Sequence, residues 1–326
     1  MNFGLSSVAT MRYAIETHDL AKHYGKTRAL NGVSLQIREG SVYGLLGPNG
    51  AGKTTTIRIL ATLLRPTSGS ATVLGHDVAR EARQVRQKVS LTGQYASVDE
   101  DLTGTENLVL VARLLGFTWR DARRRAGELM EAFDLADAMS RQVRTYSGGM
   151  RRRMDIAASL VAIPQVLFLD EPTTGLDPRS RNQVWDLVRQ IAAQGTTVLL
   201  TTQNLEEADR LAERLAVIDH GRVIAQGTSR ELKAMVGANA LHIRLNTPDQ
   251  RAAVEDIVRR TVTDGLLPST DPLEVSARLE QPSQATAVLA AITEQNVDLA
   301  SFSVGNPSLD EVFLALTGRP AEEAQA

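Results

Sequence analysis

Eight residues, Gly47-Pro48-Asn49-Gly50-Ala51-Gly52-Lys53-Thr54, follow the spacing G-x-x-x-x-G-K-T, and the neighbouring chain supplies the setting such a loop requires. Ahead of them Ser41-Val42-Tyr43-Gly44-Leu45-Leu46 is apolar enough to be a buried strand. Behind them Thr55 to Leu64 (TTIRILATLL) places apolar residues at helical spacing. Glycines let backbone N–H groups curl around an anion, and a following helix adds the partial positive charge of its N-terminus. In this arrangement Lys53 reaches the β- and γ-phosphates and the Thr54 hydroxyl ligates Mg²⁺. The stretch implies a nucleoside triphosphate held at the strand–helix turn of an α/β core.

At 326 residues the chain suits two domains rather than one core. A hydrophobic fraction of 43% with 23% charged residues is that of an ordinary globular protein. The net charge of −2 and the scattered positive residues give no nucleic-acid footprint; Arg123-Arg124-Arg125 reads as a solvated helix face. There is no cysteine, which excludes disulfides, thiolate metal ligands and a cysteine nucleophile. No run reaches the roughly 18 apolar residues of a membrane-spanning helix. The N-terminal MNFGLSSVATMR lacks the basic start and apolar centre of a secretion signal and reads as a loose tail, with Met11 as an alternative start. These features predict a cytoplasmic protein whose membrane association comes only through a partner.

Taken in order, Tyr13 to Arg38 alternates as two strands (AIETHDLAKHY and ALNGVSLQI) about a turn at Gly25-Lys26. Tyr24, near its middle, is an aromatic that either stacks on a base or packs on a strand surface. A turn and short strand follow in RPTSGSATVLGHDV, then a strand Lys88-Val89-Ser90-Leu91-Thr92 that exits at Gly93-Gln94. An amide there suits Mg²⁺ and the γ-phosphate, although a lone glutamine is also an ordinary loop residue. From Thr103 to Met139 the periodicity is helical, which predicts a helical insertion between strands. It closes on Tyr146-Ser147-Gly148-Gly149-Met150 and the helix RRRMDIAASLVA; Ser-Gly-Gly before a helix offers N–H donors and a hydroxyl.

Val166-Leu167-Phe168-Leu169 is a fully apolar strand that delivers Asp170-Glu171, two carboxylates at the strand end where α/β sheets bind ligands. TTVLLT (Thr196 to Thr201) leads to Thr202-Gln203 and the helix LEEADRLAERL. Asp219-His220-Gly221 is a hairpin turn in which His220 reads as a plain turn residue. From about residue 238 an echo appears: Arg244-Leu245-Asn246-Thr247-Pro248-Asp249-Gln250 returns as Arg278-Leu279-Glu280-Gln281-Pro282-Ser283-Gln284, each joining an alternating strand to an amphipathic helix. A third strand, Ala300 to Val304, and a helix, Ser308 to Leu316, complete a small α+β sandwich of the split βαβ type.

This succession resembles the nucleotide-binding subunit of ATP-binding cassette transporters over roughly residues 13–235. Tyr24 matches the adenine-stacking aromatic, and Gly47, Pro48, Asn49, Gly50, Ala51, Gly52, Lys53, Thr54 and Thr55 match Walker A. Gln94 matches the Q-loop, Ser147-Gly148-Gly149 the signature, Asp170-Glu171 Walker B with its catalytic glutamate, and Gly175-Leu176-Asp177 the D-loop. Leu91-Thr92-Gly93-Gln94, SGGMRRRMDIAASL, LLTTQNLEEADRLA and PSLDEVFLALTG are similar to the daunorubicin/doxorubicin-resistance branch.

The resemblance implies an α/β P-loop NTPase of the cassette type, with a mixed-sheet core, an antiparallel β subdomain and a helical insertion, plus a small C-terminal α+β domain. Its expected divisions are a tail at 1–12, the nucleotide-binding domain at 13–237, a regulatory or dimerisation domain at 238–318 and a disordered tail at 319–326. It implies a MgATP hydrolase acting as a homodimer beneath a separate membrane permease, peripheral on the cytoplasmic face, with no nucleic-acid partner. Lys53, Glu171 and Gln203 would act in catalysis, and Thr54, Gln94 and Asp170 would hold Mg²⁺. The Gln94 loop and the insertion from Leu102 would dock the permease; the run LVLVARLLG reads either as core or as part of that face.

Two departures stand out. The signature reads YSGGM rather than LSGGQ. Gln203 stands where most cassettes place a histidine, and it donates a hydrogen bond but cannot become cationic. With an effective dielectric of about 20, a cation about 4 Å from phosphate is worth about 4 kcal/mol, so the exchange slows turnover only if the histidine acts as a cation. The implied cargo is a hydrophobic, drug-like compound. The alternatives are export of lipid or polysaccharide, or a non-transport cassette ATPase of translation or DNA repair.

Overall fold

The computed structural model describes residues 12–93, 98–236, 239–262, 265–269, 271–281, 283–295, 297–305 and 307–318. Gln94, the end segment 319–326 and all of the N-terminal tail but Arg12 lie outside them. Two compact units emerge: one from residues up to Leu45, Gly50–Thr202 and His220–Arg222, the other from Leu46–Asn49, Gln203–Asp219 and the chain from Val223 onward.

In the first unit, β1 (Tyr13–Tyr24) and β2 (Thr27–Arg38) pair antiparallel around Gly25, whose φ of 58° a glycine adopts without strain. Then come β3 (Val42–Leu46), α1 (Lys53–Leu60), β4 (Ser68–Val73), β5 (His76–Asp77), α2 (Ala82–Arg86) and β6 (Val89–Thr92). The order β2-β1-β4-β5 is the expected antiparallel subdomain. The helical insertion is α3 (Gly104–Leu114) and α4 (Trp119–Ala132). Thr103 caps α3 in a reciprocal box with Glu106, and Thr118 caps α4. Leu108, Ala112, Ala122, Ala126, Leu129 and Met130 form the buried faces of the two helices. The run LVLVARLLG is therefore split: Leu108 and Ala112 are core, while Leu110, Leu114 and Leu115 are exposed, beside an exposed Trp119.

The unit closes with α5 (Gly148–Ser159), β7 (Val166–Asp170), α6 (Pro178–Ala193) and β8 (Thr197–Thr202). β6, β7 and β8 pair in parallel, with β3 next to β8. Every residue of β7 and β8 is buried, which is why both read as unbroken apolar runs with polar residues only at their ends. The register sets Asp170 opposite Thr201.

Two helices depart from the sequence expectation here. α1 begins at Lys53 and ends at Leu60 rather than spanning Thr55 to Leu64. Thr62 turns into the left-handed region (φ 64°), and the N–H groups of Leu63 and Leu64 both fall back on the Arg58 carbonyl. α5 starts inside the signature, because Ser147 is its N-cap: the Ser147 hydroxyl accepts from Met150 N–H.

The second unit holds α7 (Leu205–Leu211), β9 (Arg214–Asp219), β10 (Arg222–Gly227), α8 (Ser229–Val236), β11 (Asn239–Leu245), α9 (Arg251–Thr261), β12 (Leu266–Leu267), β13 (Glu274–Leu279), α10 (Ser283–Glu294), β14 (Leu299–Gly305) and α11 (Leu309–Thr317). α7 is shorter than LEEADRLAERL suggested. Ala212 turns extended, and Leu215 leaves the helical pattern to join Ala216, Val217 and Ile218 in the buried middle of β9. The echo is structural: β11 feeds α9 and β13 feeds α10. A sheet ordered β12-β13-β11-β14 packs Leu241, Ile243 and Val275 against Val254, Val258, Val288 and Ile292. α11 is fixed by a capping box between Ser308 and Glu311, and its Leu309, Val312 and Phe313 share a core with Leu205, Leu215, Val217 and Leu232.

Candidate phosphate-binding and hydrolytic site

The loop turns into its helix through two left-handed glycines, Gly50 (φ 78°) and Gly52 (φ 110°). Gly52 is the N-cap of α1 and has no side chain to cap it, so the helix start presents its N–H groups as an anion site would. Gly47 and Pro48 are buried, Asn49 and Gly50 exposed, Ala51 and Gly52 buried, and Thr55 half-buried. The Thr56 hydroxyl donates to the Gly52 carbonyl (3.0 Å).

The loop is braced from a distant turn. Gly221 N–H donates to the Ala51 carbonyl (2.9 Å), and the Gly221 carbonyl accepts from Asn31. Gly221 sits at φ 72°, where a Cβ would lie 2.7 Å from the Ala29 carbonyl oxygen, so only glycine fits. The sequence showed a hairpin turn there and nothing of what it touches.

β7 carries the acidic pair to the start of α1. Lys53 Nζ lies 3.3 Å from Glu171 Oε1, both nearly fully buried. Thr54 Oγ1 donates to Asp170 Oδ1 (3.1 Å). Adjacent residues of an extended strand point to opposite faces. Here Glu171 leaves β7 with φ 48°, and the two successive carboxylates meet two successive residues of the loop. The Thr174 hydroxyl donates to Glu171 Oε2 (3.2 Å), and the Thr201 hydroxyl donates to Asp170 Oδ1 (2.5 Å). Burial pulls the Lys53 pKa below its ordinary 10.5, against the opposing pull of Glu171 and Asp170. A hydroxyl and a buried carboxylate on the same side of the loop are the partial oxygen shell that Mg²⁺ completes with water and substrate phosphates, so these residues fit the ion.

The signature residues belong to a second cluster. Ser147 and Gly148 are exposed, whereas Gly149 is buried where a Cβ would fall 2.3 Å from Ser180 Oγ. Ser180 in turn donates its hydroxyl to Asp177 (2.6 Å), the N-cap of α6. That bond and the backbone N–H groups of Ser180 and Arg179 hold Asp177 below the usual carboxylate range. Arg152, to which the sequence assigns no site role, ties this helix to the acidic strand. Its guanidinium donates to the carbonyls of Pro172 (2.7 Å), Gly93 (2.7 Å) and Asp170 (3.2 Å).

Of the expected site residues, the structure thus brings together Lys53, Thr54, Asp170 and Glu171. Tyr24 ends β1, is 48% exposed and has Lys22 Nζ 5.2 Å from its ring centre. Gln203 follows β8 and is half-buried, in the second unit. Gly221, Arg152 and Thr201 act through contacts that span tens of residues, which no local pattern marks, and Thr174 acts through one that spans three.

The family model "ABC transporter" matches residues 30–174, and the model "ATP-binding protein DrrA1-3-like, C-terminal domain" matches residues 227–317. The chain is 58% identical over 310 residues to the daunorubicin/doxorubicin resistance ATP-binding protein DrrA of Streptomyces peucetius, covering 95% of this chain and 94% of that one. It is 48% identical over 318 residues to the doxorubicin resistance ATP-binding protein DrrA of Mycobacterium tuberculosis, covering 95% of each. Among solved structures, a dimeric post-hydrolysis ATP-binding cassette bound to ADP and Pi superposes with a TM-score of 0.60 at 25% identity, over 66% of this chain and 98% of that one.

Proposed function

The chain belongs to the daunorubicin/doxorubicin-resistance ATP-binding proteins, ATP-hydrolysing subunits of ABC transporters, and from that premise we propose how its residues divide the work. Two copies enclose ATP. One supplies Tyr24, the loop from Gly47 to Thr55, Gln94, Asp170, Glu171 and Gln203; the other supplies Ser147, Gly148, Gly149 and Asp177. The observation that carries this reading is the pairing of Lys53 with Glu171 and of Thr54 with Asp170, which puts a proton acceptor beside a phosphate-binding cation.

In this account Lys53 leaves Glu171 to bind the β- and γ-phosphates, and the carboxylate so released accepts a proton from the attacking water. As the water oxygen bonds to the γ-phosphorus, its bond to the β–γ bridging oxygen breaks and ADP leaves. Thr54, Asp170 and Gln94 would hold Mg²⁺, which when bound offsets the charge of the β- and γ-phosphates. Gln203 donates a neutral hydrogen bond to the γ-phosphate. The exposed start of α5 offers N–H donors to transition-state charge on the partner's nucleotide.

Among the described residues no helix is long and apolar enough to cross a membrane. Membership of the ABC transporter ATP-binding subunits supports a separate permease as the part that the ATPase drives. Leu110, Leu114 and Trp119, exposed on the helical insertion, support that insertion as the docking face. The names of the relatives support export of a hydrophobic drug-like compound from the cytoplasmic face. The proposed domain division is 13–237 for nucleotide binding and 238–318 for regulation or dimer stabilisation, since β11 at Asn239 opens a sheet of its own.

The test is association. With a non-hydrolysable ATP analogue and the co-expressed permease, sedimentation should show two ATPase copies per complex, and hydrolysis should rise with the exported compound. A chain that stays monomeric under those conditions defeats the reading. A second expectation concerns Tyr24. Base stacking is worth about 1–3 kcal/mol, so Tyr24→Ala should weaken ATP binding by about 5- to 150-fold. Its half-exposed ring should leave the melting temperature nearly unchanged, and titration with a fluorescent ATP analogue reads the affinity.

A further inference from the structure

The acidic pair is held by a residue that has no role in the hydrolysis described above. Thr201 is fully buried near the end of β8, in register opposite Asp170. Its hydroxyl does two things at once. Oγ1 accepts from Glu171 N–H (3.1 Å) and donates to Asp170 Oδ1 (2.5 Å). The bond from Glu171 N–H fills a lone pair of the hydroxyl, and the hydroxyl proton goes to the carboxylate. The chain of donors runs one way, from the Glu171 backbone through Thr201 to Asp170. Glu171 N–H also reaches the Thr201 carbonyl (3.1 Å).

This matters because Glu171 adopts φ 48°, a conformation that a non-glycine residue holds only when its surroundings enforce it. The unusual turn is what allows consecutive carboxylates to meet consecutive loop residues. Thr54 also donates to Asp170 Oδ1, but in the proposed nucleotide-bound site that hydroxyl is needed as a ligand itself. Thr201 has no second task there. Its bond is the one that persists when the site fills.

We propose that Thr201 is a positioning residue for hydrolysis: its hydroxyl fixes the Asp170 carboxylate and the Glu171 backbone relative to each other, so that both acidic groups face the nucleotide. The inference rests on the roles given to Asp170 and Glu171 above. It makes Thr201 act through them, without touching substrate.

The experiment compares the full-length variants Thr201→Val and Thr201→Ser with wild type and with Glu171→Gln, assaying the complex with its permease. Valine keeps the branched shape and deletes only the hydroxyl; serine keeps the hydroxyl and loses a methyl. Thr201→Val should lower kcat about tenfold, the effect of losing one hydrogen bond to a buried charged group, with the KM for ATP within about twofold of wild type. Binding of a fluorescent ATP analogue in EDTA should be unchanged, because Lys53 and the loop are untouched. Thr201→Ser should recover kcat to within about threefold of wild type.

A Thr201→Val enzyme with wild-type kcat overturns the inference, as does a rise in KM with kcat intact. So does a Thr201→Ser enzyme tenfold or more slower than wild type, and this arm decides even if valine prevents folding. Full turnover in Glu171→Gln would instead remove the base, a failure of the broader reading that the threonine arms do not mimic.

Discussion

Replacing Glu171 by Gln is expected to slow ATP hydrolysis by about 10²- to 10⁴-fold while nucleotide is still bound. The amide is nearly isosteric and retains an oxygen for Lys53 and a position beside the Thr174 hydroxyl. What it lacks is a site basic enough to take a proton from water. A second consequence separates this prediction from a generic loss of activity. Lys53 and Glu171 are a buried pair, and removing the charge of one partner leaves the other uncompensated, at a cost of up to about 3 kcal/mol. The unliganded variant should therefore melt several degrees below wild type, and ATP should recover most of the difference because its phosphates replace the missing negative charge. Phosphate release and thermal melting with and without ATP check both halves. Undiminished phosphate release would remove Glu171 from its role.

Most of the architecture was readable because its signals are local. β7 and β8 are apolar runs buried on both faces, and the loop from Gly47 to Thr54 carries Gly50 and Gly52 where left-handed backbone is needed. The echo in the C-terminal part was readable for the same reason, each copy being one strand–helix unit. The misreadings fall where tertiary contact overrides local pattern. Thr55 to Leu64 is apolar at helical spacing, yet α1 stops at Leu60 and the chain turns through Thr62. Leu215 belongs by periodicity to α7 and by burial to β9.

The site divides in the same way. Each motif could be found alone, but the bond from Thr54 to Asp170 spans 116 residues and the one from Arg152 to Gly93 spans 59. Thr201 was hidden for a different reason: in TTVLLTT it looks like a β-branched strand former, and only the register opposite Asp170 shows that its hydroxyl has a partner. The strained Glu171 backbone is likewise invisible in the letters, since nothing in Asp170-Glu171-Pro172 demands a positive φ.

Lys53→Ala should weaken ATP binding by at least about 30-fold, since truncating one side of a buried, charge-assisted contact costs about 2–5 kcal/mol. The pH dependence identifies the lysine itself. Its folded pKa lies below 10.5 because burial disfavours the ammonium more than Glu171 and Asp170 favour it. Between that folded value and the ordinary one, the unfolded chain holds more protons than the folded chain, so wild-type stability contains a component that rises with pH across this window. Lys53→Ala lacks that component, and urea unfolding of both proteins through the alkaline range should show their difference in stability widening upward. Bound phosphates push the other way by favouring the ammonium. ATP binding must then take up part of a proton, and its affinity must fall as pH rises through the same window. Calorimetric titration in buffers of different ionisation enthalpy measures the uptake directly. Wild type should show it and Lys53→Ala should not; equal uptake by both would mean that the proton goes elsewhere and that Lys53 is not the group meeting the phosphates.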